Sequence, residues 1–163
     1  MLMKNMVRVW LVVLAIGILV ASNVTAQETQ KQTSNKVELQ RLYVSYLIEE
    51  GYKPEVDDDG DVRFKQEGKL YFISINEKDP EFFRIVLANI WPIESELERV
   101  QVLIAADASN SKSKVSKVFT VKDNVWVCIE LFLGSPEQFK AVFKRAMSAL
   151  ENGVVNFANK MRE

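Results

Sequence analysis

The carboxylates are the residues best placed to do chemistry in this chain. Asp57, Asp58, Asp59 and Asp61 crowd one short stretch, DDDGD, and such a cluster can hold a hard cation through oxygen ligands. A helix–loop–helix calcium site needs oxygens at alternating positions, glycine at the sixth and glutamate at the twelfth. Counted from Asp57, the sixth residue is Val62 and the twelfth is Gly68. That template fails, and the stretch reads as a solvated hairpin turn. Zinc has no ordinary ligand set, because the chain has no histidine and one cysteine. The missing histidine also removes Ser-His and Cys-His nucleophilic mechanisms. Carboxylates alone can hydrolyse a glycoside, and the candidates are Glu49 with Glu50, the set Glu94, Glu96 and Glu98, and Glu130. The first pair closes a helix, and the second lies where negative charge favours a helix's positive end. The six glycines are scattered, so no phosphate-cradling loop is present. With 21 Lys+Arg against 22 Asp+Glu, and no basic stripe interleaved with aromatics, nothing marks a nucleic-acid surface. The reading is a protein without catalysis, cofactor or metal.

Glu130 points to binding instead. From Val125 to Leu133 the residues alternate, with Trp126, Cys128, Glu130 and Phe132 on one face. Val125, Val127, Ile129, Leu131 and Leu133 fill the other. The aliphatic face is expected to meet the helices, which leaves Trp126 and Phe132 around Glu130 as an exposed partner-binding face. Phe72 and Leu70 extend that face, or Tyr71 does if the neighbouring strand turns its other side. Trp91, next to Pro92, is a further candidate anchor. The plainer alternative is that the C-terminal helix or a leader covers the face, so that Trp126 is ordinary core and Trp91 plugs a sheet edge.

The elements that must position these residues are legible in outline. Lys4 and Arg8 precede an apolar run, Val9 to Ala21, and then Val24-Thr25-Ala26, the basic–apolar–small order of a secretory signal over residues 1–26. The polar stretch 27–35 reads as a flexible leader, and 36–163 as a single α+β domain. A first helix is expected from a capping box at Asn35 and Glu38, with Leu39, Leu42, Tyr43, Tyr46 and Leu47 on one face and Gly51 as its stop. Short strands are expected next at Tyr52–Val56, Val62–Gln66 and Leu70–Ile75, while Phe82–Ala88 fits either a buried strand or a helix turn, its length and aromatic content favouring strand. Ser95 and Glu98 box a second helix whose expected core stripe is Leu97, Val100, Leu103, Ile104 and Ala108. Strands Val115–Val121 and Val125–Leu133 form a hairpin, and Ser135-Pro136 opens a long last helix. Cys128 reads as a small buried hydrophobe.

This order resembles the YbjN family and the wider fold of type III secretion chaperones. The matching stretches are Gly51-Tyr52, Asp59-Gly60-Asp61-Val62, Asp79-Pro80-Glu81-Phe82-Phe83-Arg84, Ala105-Ala106-Asp107 and Lys117-Val118, spread between Val37 and Met161. The resemblance implies an antiparallel sheet of five to six strands with helices packed on it, in the order α-β-β-β-(β)-α-β-β-α. It also implies a non-enzymatic module that binds another polypeptide, and it allows a homodimer. With the signal segment, the expectation is an exported protein- or peptide-binding protein with no membrane span once the signal is removed. The periplasm is the expected location, with extracellular or signal-anchored forms as alternatives. The competing reading is a small-molecule or lipid carrier with an apolar cavity between sheet and last helix, lined by Phe139, Phe143, Met147, Phe157 and Met161.

Overall fold

Apolar residues recur every three or four positions from Leu39 to Leu47, and they bury one side of helix α1, residues 30–49. The computed structural model describes residue 28 and residues 30–163, so the expected signal segment lies outside the described residues. Gly51 ends α1 in the left-handed region at φ 88°. Its N–H donates to the Ile48 carbonyl at 3.0 Å, and the Tyr52 N–H to the Leu47 carbonyl at 2.8 Å. That paired closure needs a residue free of Cβ strain. The start of α1 differs from expectation. Residues 30–35 are already helical, and Asn35 does not cap. Its Nδ2 donates to the Glu77 carbonyl at 3.0 Å, tying α1 to a distant loop. Gln30, Lys31 and Gln32 favour helix well enough to extend it upstream.

The strands are β1 (Glu55–Val56), β2 (Val62–Gln66), β3 (Lys69–Ile73), β4 (Phe82–Pro92), β5 (Ser116–Val121) and β6 (Asn124–Phe132). They form one antiparallel sheet in the order β1-β2-β3-β4-β6-β5. Glu67 and Gly68, at φ 51° and 79°, make the tight β2–β3 turn. Strand β4 runs past Ala88 to Pro92, because a bulge between Leu87 and Trp91, with Asn89 at φ 54°, re-aims the chain without ending its pairing. With helices α2 (Glu96–Lys112) and α3 (Phe139–Met161), the element order is α-β-β-β-β-α-β-β-α, an α+β fold. A single 3₁₀ turn, Pro136–Gln138, leads into α3.

The helices pack on one side of the sheet. Val62, Phe64, Tyr71, Ile73, Ile85, Leu87, Val127 and Ile129 join Tyr43, Phe139, Phe143, Leu150 and Phe157 in the core. Aromatic rings lock α1 to α3: Tyr43 and Tyr46 meet Phe139 edge-on at 4.8 and 4.9 Å between centroids.

Helix α2 corrects the sequence reading. The stripe expected in the core faces solvent, with Leu97, Val100, Leu103 and Ile104 exposed by 73, 54, 52 and 56% and Ala108 half-buried. The buried side is Val102, Ala105, Ala106 and Ser109. The cause is a close approach. Gly153 of α3 sits so tightly on the sheet that a Cβ there would lie 2.7 Å from Ser116 Oγ. Ser109 Oγ donates to the Gly153 carbonyl at 3.0 Å. Only small side chains let α2 come that near. Ala105→Leu should therefore cost about 1–3 kcal/mol in urea unfolding through overpacking. An unchanged midpoint would mean that this side of α2 is not in the core.

Candidate functional site

The face of the sheet left helix-free by the described residues carries its own ordered surface. Direct cross-strand partners run Arg63, Phe72, Val86, Cys128 and Lys117 from one side to the other. Val86 and Cys128 are fully buried yet lie outside the helix-side core. Side chains of their own face must therefore cover them. Phe72 meets Trp126 edge-on at 5.7 Å, and Phe119 lies 6.4 Å from the same ring. The Trp126 indole N–H donates to Asn89 Oδ1 at 3.0 Å, an acceptor that the β4 bulge brings over the face. Phe132 is 82% exposed and leans on Phe82 at 5.5 Å.

Charge sits beside this aromatic group. Glu130 takes Lys117 Nζ at 2.7 Å and lies 3.2 Å from Arg84 Nε. The Arg84 contact is an ion pair without hydrogen-bond alignment, since Arg84 Nε is buried with no hydrogen-bond partner. Arg84 and Lys117 both lie over the Phe119 ring, at 5.9 and 5.5 Å respectively. The Cys128 thiol reaches Glu130 Oε1 at 3.6 Å. Partial burial pushes the Glu130 carboxyl up, but the Lys117 hydrogen bond and the two positive charges outweigh it and hold it below its ordinary value. Burial foremost, and then the Glu130 charge, push the Cys128 thiol up, which makes it a poor nucleophile at neutral pH.

Of the residues singled out from sequence, Trp126, Glu130, Phe132 and Phe72 share this face; Phe72 meets Trp126, whereas Phe132 lies about 20 Å along β6 from Trp126 and packs on Phe82. Trp91 does not. Beyond the bulge it turns to the helix side, where its indole N–H donates to Glu98 Oε1 at 2.8 Å and its ring meets Phe157 edge-on at 6.1 Å. It fastens the start of α2 to the sheet. Tyr71 faces the core, with its hydroxyl donating to Glu151. Sequence reasoning missed Phe119, Arg84 and Asn89. The β5–β6 turn pairs Val121 with Asn124, and counting back from it sets Phe119 opposite Trp126, so that signal was present. Asn89 had none, because a bulge leaves no period.

The other candidates are structural. Asp57 Oδ1 accepts the N–H groups of Asp59 and Asp61, and Asp61 Oδ1 accepts that of Ile75 at 2.7 Å. These carboxylates hold the turn. Phe139, Phe143, Met147 and Phe157, expected to line a carrier's cavity, are buried against one another and against Tyr43, Tyr46 and Trp91. The larger grooves lie at the rim instead. One of about 660 Å³ runs along the β1–β2 edge past Lys53, Arg63 and Leu70, and one of about 550 Å³ lies beside Lys144 and Glu151. Among the described residues no helix is long and apolar enough to cross a membrane.

The architecture is the YbjN-like, type III secretion chaperone-like α+β fold. The structure of YbjN from E. coli, a protein put forward as a transcription regulator, matches with a TM-score of 0.54 at 17% identity. That match covers 72% of this chain and 89% of that one. A chain of the HopA1–SchA chaperone–effector complex matches with a TM-score of 0.50 at 11% identity, over 72% of this chain and 94% of that one. At such identities the likeness is one of fold. No protein-family model matches the sequence, and neither does any curated protein.

Because the folded state holds Glu130 below its ordinary value, its contribution is complete above the unfolded carboxylate range, about pH 4.3, and fades as pH falls through the lowered value. The stability gap between wild type and Glu130→Gln should be widest near neutrality and close toward pH 2.5 in urea titrations. A gap that stays constant across that range would contradict the ion cluster.

Proposed function

We propose that this protein is an exported, non-enzymatic module that captures a protein or peptide on the helix-free face of its sheet, in the manner of a chaperone or adaptor. The observation that carries the proposal is the surface itself. On the face that no described helix covers, Phe72, Phe119 and Trp126 form a half-buried group, and farther along β6 Phe132 stands almost fully exposed against Phe82. Aromatic rings of this kind supply large contact area at small cost in side-chain entropy, and they anchor many protein interfaces. Arg84 and Lys117 outnumber Glu130 there, so the face suits a segment that combines apolar side chains with a carboxylate.

The fold's likeness to a chain of a chaperone–effector complex supports a polypeptide partner. Export rests on the basic, apolar and small-residue order of residues 1–26, with the periplasm as the destination. A homodimer is compatible with the same reading. The packed interior beneath α3 favours this account over a lipid carrier.

The test is a crosslinking pull-down from an envelope extract, read by mass spectrometry, with wild type, Trp126→Ala and Phe132→Ala. Phe132→Ala should lose the dominant partner by at least tenfold while keeping the wild-type circular dichroism and melting temperature, because its ring is exposed. Trp126→Ala should lose it too, with a modest fall in stability. Undiminished capture by folded Phe132→Ala would overturn the sheet-face reading.

A further inference from the structure

At the outer edge of the sheet the chain parts from β2 and leaves a slot with an uneven charge. Strand β1 pairs only Glu55 with Arg63 and Val56 with Val62. One step further in the same register, Lys53 would stand opposite Lys65, and like charges directly opposed weaken a strand pair. The chain has left β2 before that point. Tyr52 turns to the helix side, where its ring meets Phe143 at 6.2 Å and its hydroxyl donates to Gln66 Oε1 at 2.8 Å. The gap is the groove of about 660 Å³ at the β1–β2 edge, within the ~300–1,000 Å³ of small-molecule sites.

Its walls favour an amphipathic anion. Tyr52, Phe64 and Leu70 line it with apolar surface, and Lys53, Arg63, Lys65 and Glu55 supply the charge. Glu55 is engaged with Arg63, whose Nε and Nη2 donate to the same carboxylate oxygen at 3.2 and 3.0 Å. Lys53 and Lys65 are exposed and pair with no carboxylate among the described residues. An anion between them meets two point charges that lack a counter-ion, with apolar side chains beside it. The slot is also short. From Lys65 to Arg63 it follows about 7 Å of strand, and there the Glu55–Arg63 ion pair bridges it. That bridge stops an extended segment from running through and leaves room for a small molecule with one charged end.

We propose that this groove binds a small amphipathic carboxylate, with its charged group between Lys53 and Lys65 and its apolar body on Tyr52, Phe64 and Leu70. The site stands apart from the sheet-face reading. Trp126 lies on β6, three strand spacings from β2 and about 14 Å across the sheet.

The test is an amide NMR titration of the protein, as purified with its own N-terminus, with octanoate and in parallel with octylammonium. The two probes share a chain and differ in the sign of the charge. Octanoate should shift the amides of residues 51–55 and 63–70 saturably, with at least tenfold tighter binding than octylammonium. The double variant Lys53→Gln/Lys65→Gln should keep the wild-type spectrum elsewhere and lose at least tenfold in octanoate affinity. Phe132→Ala, which tests the sheet face, should bind octanoate as the wild type does, so the two readings fail separately. Equal affinity for the two probes, shifts centred on Trp126 instead of the groove, or unchanged affinity in the double variant would overturn the proposal. So would tighter binding of the end-blocked peptide Leu-Glu-Leu-Glu than of octanoate, which would give the groove to a polypeptide.

Discussion

The closeness of α3 to the sheet at Gly153 governs the rest of the molecule. A Cβ at that position would collide with Ser116, and the Gly153 carbonyl instead accepts the Ser109 hydroxyl from α2. α2 must therefore present alanines and a serine toward α3, so its leucines and isoleucine turn outward. The three described helices gather on one side of the sheet, and the other side has to cover its own buried residues. Val86 and Cys128 are buried there under no described helix, with Phe72 and Lys117 as their cross-strand neighbours and Trp126 and Arg84 on the same face. An aromatic layer one side chain thick, bordered by charge, is the surface an incoming segment would meet.

That layer is held polar as well as apolar. Trp126 hydrogen-bonds Asn89, and Glu130 sits between Arg84 and Lys117. Rings held this way lose little freedom when a partner arrives, which lowers the cost of association. The nucleophile nearest the face, Cys128, is buried and held in its thiol form.

Much of this architecture is legible in the residues. The alternation along β6 separates an aliphatic face from one bearing Trp126, Glu130 and Phe132, because a strand's period of two is strict. Gly51 announces the end of α1. α2 misleads because both of its sides have helical period: Val102, Ala105, Ala106 and Ser109 recur as regularly as Leu97, Val100 and Ile104. Hydrophobicity then picks the larger set, whereas the site selects by volume. Trp91 misleads for a related reason. The Asn89 bulge lets β4 continue and flips the faces of the residues beyond it, and no pattern in the sequence marks a bulge.

On the proposed function, a partner sits on the helix-free face. Site-specific photocrosslinking in living cells tests it most directly, with a benzophenone side chain placed at Phe132 and, as the opposing control, at the exposed Val155 of α3. The account predicts a discrete adduct with one protein from position 132 and none from position 155. Adducts from 155 alone, or equally from both, would contradict it.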